Sequence, residues 1–233
     1  MKPSAETKNV REVVLYFQVH QPRRLKKLQF LYIGKHKGYF DDALNHQIMQ
    51  RVAAECYLPV NEMLLNHIRT RKNVRLCFSI SGMAIDQFEE YCPEVLDSFR
   101  ALARTGAVEF LCETKYHSLA SLTPDDEFIE QVEMHREQIR EQFGVTPTVF
   151  RNTELIYSNS IGSRIARLGF AGTLCDDVPR TLGQRSPFQV YRHPLHPAFK
   201  ILLRHNSLSD DIGFRFNDGG KTLNAKDYFQ KIA

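Results

Sequence analysis

Tryptophan is absent from the 233 residues, so any flat ligand face must be met by tyrosine or phenylalanine. Cysteine is sparse. Cys56, Cys77, Cys92, Cys112 and Cys175 are scattered without a CxxC pair or zinc-ligand spacing. An odd thiol count, no signal peptide and no apolar run of membrane length point to a soluble chain in the reducing cytoplasm, with no membrane partner. All five thiols read as free and buried, above all Cys77, Cys112 and Cys175, which lie in strand-like runs. No glycine-rich phosphate turn follows the first apolar run, which sets a dinucleotide fold aside. The net charge of +4 is mild and no long basic tract occurs, so no nucleic-acid partner is expected. The lysines and arginines between Arg23 and Lys37 read as a solvated loop face. Repeats and low-complexity segments are also missing.

What is present is a regular alternation. With 42% hydrophobic residues the chain can bury a sizeable core, and residues 12–233 read as one domain behind a frayed segment 1–11. Strands are expected at Val13–Val19, Val74–Ser79, Ala107–Cys112, from Thr148, at Ala171–Leu174 and at Lys200–Arg204, with a short one near Val190. Helical patterns fall between them. One runs from an Asp41 or Asp42 cap through Ile48, Val52, Leu64 and Ile68, with a break near Pro59. Another starts at Thr123-Pro124-Asp125 and carries Phe128, Val132, His135 and Ile139 on one face to Gly144. Ser160 is placed as the cap of the helix through Ile161, Ile165 and Leu168, and a last helix opens near Asn224. Strand–helix alternation argues a parallel α/β fold, and a barrel fits better than an open sheet. Six main strands are too few for an eight-stranded barrel, so the barrel is smaller or the chain stops early.

In parallel folds the carboxyl ends of the strands carry the chemistry. Here those exits hold His20, Ser81, Glu113 with His117, Glu154, Asp176 with Asp177, and Asp210 with Asp211. Each also has a structural reading. Glu113 can pair with Lys115 or Arg136, Glu154 with Arg151, and Asp210 and Asp211 with Arg204 or Arg215; the Asp176-Asp177 pair looks like turn chemistry. Carboxylates and imidazoles together suit hydrolysis or group transfer at an acetal, or a metal centre. Two carboxyl groups about 5 Å apart would predict retention of configuration. His193 and His196 are the nearest thing to zinc-ligand spacing, but they sit in a proline-punctuated loop, which weakens the metal reading.

His20-Gln21-Pro22, the segment GAVEFLCETKYH from Gly106 to His117, FRNTELIYSN around Glu154, and LSDDIGFRF at 208–216 resemble glycoside hydrolase family 57, in particular its α-amylase-type members. The likeness runs in order from about residue 12 to the end. It implies an incomplete (β/α)7 barrel, truncated at its carboxyl terminus, and a retaining reaction on α-1,4-glucans with no cofactor or metal requirement. It places the nucleophile at Glu154 and lines the sugar cleft with His20 and His117. Gln21, Glu113, Arg151, Tyr157 and Asp211 join them as substrate-binding candidates, with Asp211 contacting substrate or orienting the site. The family's general acid is an Asp in a segment resembling DYETFGEH, expected beyond Ala233. Arg151 is expected to keep Glu154 ionised if its guanidinium reaches it. Tyr32, Tyr116, Tyr157 and Phe214 are candidates for stacking on sugar rings. The partner would be an α-glucan or maltooligosaccharide. Competing readings are a 4-α-glucanotransferase, a catalytically inactive carbohydrate-binding fragment or homologue, and a metal-dependent deacetylase on a related barrel. An open barrel edge would favour self-association.

Overall fold

Val19, Phe78, Ile80, Val108, Phe110 and Phe150 are all buried, and they alternate with residues pointing the other way. That period of two is what a strand needs to send one row of side chains under helices and the other across the sheet. A computed structural model describes residues 12–27, 30, 34–35, 38–71, 73–123, 125–216 and 223–232. The segment 1–11, Tyr32, parts of the basic loop before Phe40, Pro124 and Ala233 lie outside them.

The strands are β1 (Tyr16–Val19), β2 (Leu76–Ile80), β3 (Val108–Phe110), β4 (Val149–Arg151), β5 (Gly172–Asp176), β6 (Tyr191–Arg192) and β7 (Lys200–Arg204). They pair in the orders β1-β2-β3 and β4-β5-β7-β6, parallel everywhere except between β6 and β7. A parallel bridge from Cys112 to Phe150 joins the two runs. There the Cys112 N–H donates to the Val149 carbonyl at 2.9 Å, and the Arg151 N–H to the Cys112 carbonyl at 2.7 Å. β1 and β4 are thus three strand positions apart, roughly 14 Å in a flat sheet. Yet the Arg151 guanidinium reaches the Gln18 side chain of β1 at 2.8 Å. The succession of strands therefore curls.

The outer face is covered by helices. These are α1 (Asp42–Val52), α2 (Leu58–Thr70), α3 (Gly82–Tyr91), α4 (Pro93–Ala103), α5 (Asp125–Phe143), α6 (Asn159–Arg167), α7 (Pro179–Leu182), α8 (Asn206–Gly213) and α9 (Ala225–Ile232). One core packs Phe78, Phe88, Phe99 and Phe110 among α1 to α5; a second packs Phe128, Phe150, Ile165 and Phe170. A third, smaller cluster gathers Leu111, Leu155 and Leu174 with Tyr16, Cys77, Val149 and Leu202, on the face turned away from the helices.

The Pro59 break takes another form. A π-helical turn, Ala53–Tyr57, links α1 to α2 without interrupting the helix. Proline lacks an N–H and its ring crowds the carbonyl four residues back, so widening that turn accommodates it. The α6 cap is Ser158, not Ser160: its backbone is extended and its Oγ accepts from the Ile161 N–H at 3.2 Å. Ser160 lies inside the helix. Nor are all thiols buried, since Cys56 is exposed. Burial pushes Cys92 and Cys77 up to about 11 and Cys175 to about 12, which keeps them as thiols.

Gly172 begins β5 where no side chain fits: a Cβ there would lie 2.7 Å from the Lys200 carbonyl oxygen of β7. Gly172→Ala is expected to lose roughly 1–3 kcal/mol by forcing β5 and β7 apart. Urea denaturation checks this, and a midpoint equal to the parent's would contradict it.

Candidate active site

Glu113 follows the β3 continuation by one residue and its side chain is wholly buried. Its Oε1 accepts from the Ser79 hydroxyl of β2 at 2.9 Å, and its Oε2 lies 2.6 Å from His117 Nδ1. The Glu113 N–H donates to Nδ1 of His135 at 3.1 Å, while His135 Nε2 lies 2.8 Å from the Ile80 carbonyl. A ring nitrogen that accepts from an amide leaves the other nitrogen to carry the proton, so His135 is neutral and bridges the ends of β2 and β3. Burial alone would raise the Glu113 carboxyl, but the hydrogen bond from His117, followed by the neighbouring His135 and His117 rings and then Arg151, outweighs it and holds it below the usual range. Glu113 therefore stands ionised, and its pairs are not Lys115 or Arg136.

His117 lies over His20, the rings stacked 4.1 Å apart, and His20 Nδ1 meets the Ser81 hydroxyl at 2.8 Å. Burial, followed by the neighbouring His117, lowers the His20 pKa. The far nitrogen of His117, Nε2, faces Glu154 Oε1 at 3.5 Å. Glu154 sits in a 3-10 turn, Thr153–Leu155, just past β4, and its side chain is 72% exposed. Its backbone is left-handed (φ 52°), as are Leu155 (φ 55°) and His117 (φ 52°), the only non-glycine residues so placed among those described. Such conformations cost on the order of 1–3 kcal/mol each and persist only where surrounding contacts impose them. Here Asn152 and Thr153 supply those contacts. The Asn152 amide donates to Ser121 Oγ and to the Ile156 carbonyl, both at 2.9 Å, and Thr153 Oγ1 meets Thr114 Oγ1 at 3.1 Å.

Arg151 does not serve Glu154. It is an inward strand position, 2% exposed, and its guanidinium lies 4.0 Å from Glu113 and donates to Gln18. Glu154, three residues on, has already turned with the chain. Three other candidates also point elsewhere. Gln21 donates to the Tyr57 hydroxyl at 3.3 Å and accepts from Arg24 at 2.9 Å. Tyr157 donates to Asn159, and burial pushes its hydroxyl up to about 12. Asp211 accepts from Arg215 Nε at 2.8 Å and Lys231 Nζ at 2.7 Å, which hold its pKa down. Asp176 and Asp210 gather around Arg204. His193 accepts backbone N–H groups from Leu195 and His196 at Nδ1 and so pins its own loop. Among the described residues no group of three or more His, Cys, Asp or Glu is disposed to hold a metal ion.

The model described as glycosyl hydrolase family 57 matches residues 14–233. The chain belongs to glycosyl hydrolase family 57. Its sequence is 43% identical over 208 residues to a putative alpha-amylase of Methanocaldococcus jannaschii, covering 88% of this chain and 44% of that protein. It thus spans less than half of that relative. A 4-alpha-glucanotransferase from Thermococcus litoralis superposes with a TM-score of 0.66 at 18% identity, over 87% of this chain and 29% of that one. A GH57-type branching enzyme from Pyrococcus horikoshii gives 0.60 at 17% identity, over 84% and 47%. These likenesses are of fold.

In this cluster of the family 57 chain, Gln18 and His135 escaped the sequence reading. Gln18 was legible as an inward neighbour of His20 in a strand of period two. His135 sat in an apolar helical stripe, where a histidine looks like core. A buried neutral histidine binds fewer protons folded than unfolded, so stability is full above its ordinary value near 6.5 and falls as pH drops below it. Glu113, whose pKa is likewise lowered, adds a contribution of the same sign, lost as pH falls below about 4.5. Between pH 7.5 and 5, denaturation free energies should therefore decline, each lowered histidine contributing at most about 1.4 kcal/mol per pH unit. His135→Gln should be less stable at pH 7.5 yet show a shallower decline. An unchanged slope would contradict the assignment.

Proposed function

We propose that this chain is the nucleophile-bearing portion of a retaining glycosidase acting on α-1,4-glucans, with Glu154 as the nucleophile. The supporting observation is the contrast between carboxylates at the strand exits. Glu113 is buried and saturated, and Asp211 is held by two cations, whereas Glu154 is open to a ligand beside His117. In the reaction, a Glu154 oxygen attacks the anomeric carbon, the glycosidic C–O bond breaks, and water later cleaves the glycosyl-enzyme ester. A proton must reach the departing oxygen. No described carboxyl group beside Glu154 is free for that, and this reading takes the general acid from outside the present residues. His20, His117 and Arg151 bind and orient sugar hydroxyls. Tyr116 and Phe214, both exposed, offer stacking faces.

The fold reading is an incomplete (β/α)7 barrel. Its support is the curl of the parallel strands and the single inward cluster drawn from β1, β2, β4, β5 and β7. Transfer to a second sugar instead of water would make the protein a 4-α-glucanotransferase, and inability to cleave would leave a carbohydrate-binding protein.

Incubation with maltooligosaccharides and product analysis decides among these. In a full-length version, turnover is expected to survive EDTA, as that of a metal-dependent deacetylase would not, and to fall on the order of 10⁴-fold or more in Glu154→Gln with binding retained. Undiminished turnover in that variant removes Glu154 from the role. Self-association is expected through the exposed Val13, Val14, Leu15 and Phe17 beside and along β1, which pairs on one side only among the described residues. A concentration-independent monomer in sedimentation experiments would contradict it.

A further inference from the structure

Gln18 stands between the one buried arginine of the mouth and the ring that faces Glu154. A guanidinium carries only donors, so the Gln18 atom 2.8 Å from Arg151 Nη2 is the amide oxygen. The rest of the amide is then oriented: its NH₂ group lies 3.4 Å from His117 Nε2. A donor facing that nitrogen favours a lone pair on it. On the other side of the ring, Nδ1 lies 2.6 Å from the ionised Glu113, which can only accept, so the ring proton is there. Arg151 is thus linked through Gln18 to the imidazole.

We propose that Gln18 is a positioning residue that holds His117 as the neutral ring protonated at Nδ1, keeping Glu154 free of a cationic partner. The proposal rests on the reading of Glu154 as nucleophile. Glu154 Oε1 is 3.5 Å from the same Nε2. A proton at Nε2 would tie that oxygen into an ion pair and blunt its attack on carbon; a lone pair leaves it available. The groups facing the ring pull in both directions. His20 is stacked on it at 4.1 Å and Arg151 lies behind Gln18, both disfavouring a second positive charge, while Glu113 and Glu154 favour one. Gln18 is what tips the ring to the neutral form without removing either carboxylate.

The test reads the ring directly. Nitrogen-15 spectra of histidine-labelled protein at pH 7.5, with His117 assigned from a His117→Asn sample, should show a protonated Nδ1 and an unprotonated Nε2. Gln18→Glu replaces the donor with a carboxylate that still pairs with Arg151, and both ring nitrogens should then be protonated. In that variant of a full-length version, kcat for maltooligosaccharides should fall tenfold or more with KM within about twofold. Gln18→Met, similar in length and lacking the donor, should raise the fraction of rings protonated at both nitrogens above that of the parent. An Nε2-protonated ring in the parent protein overturns the proposal, as does a Gln18→Glu ring unchanged from the parent. Neither result bears on Glu154 itself: if Glu154→Gln keeps its turnover while the ring behaves as stated, the nucleophile reading fails alone.

Discussion

A carboxylate withdrawn from water has to find a partner for each oxygen, and Glu113 finds them on several elements at once. Ser79 comes from β2, His117 from the loop beyond β3, and the Arg151 charge from β4. The residue's own N–H is taken by His135 of α5, which is tied in turn to Ile80. Each partner alone is worth little net free energy, but removing any one leaves a buried charge short of compensation, which is expensive. The mutual position of the strand exits is therefore coupled to a single ionised group. The histidine that faces the mouth inherits its orientation from that group.

The second carboxylate has the opposite environment. Glu154 is open and sits on strained backbone, with the His117 Nε2 nitrogen 3.5 Å from its Oε1. Two acidic side chains with contrasting surroundings can take different duties, one structural and electrostatic, the other chemical. The strain at Glu154, Leu155 and His117 lies in the two turns that bring these side chains face to face. Packing below them, through Leu155 against Leu111 and Leu174, makes those turns rigid enough to hold it.

Much of this was legible along the chain because it depends on neighbours in sequence. The sixth main strand, Lys200–Arg204, forms where the apolar pattern put it, and Gly106, Gly144 and Gly169 end helices with positive φ. Membership of family 57 followed from motifs that survive as contiguous letters. The misreadings have a common origin. Arg151 and Glu154 are close in sequence, yet a strand end and a tight turn direct them to different partners. Asp211 pairs with Arg215, as the sequence allowed, and α9 brings Lys231 against it as well, which the sequence did not show. His135 looked apolar by position because helical periodicity reports which face a side chain occupies, not what it meets there.

The order of residues was sufficient to determine parallel α/β alternation, the family, and the position of the carboxylates at strand ends, since hydrophobic period, capping chemistry and local motifs act over a few residues. Which carboxylate is buried and which is open was decided by the tertiary structure. That choice depends on β1, β2, β3, β4 and α5 meeting at one point, and burial, shared protons and compensated charge are properties of that meeting rather than of any segment.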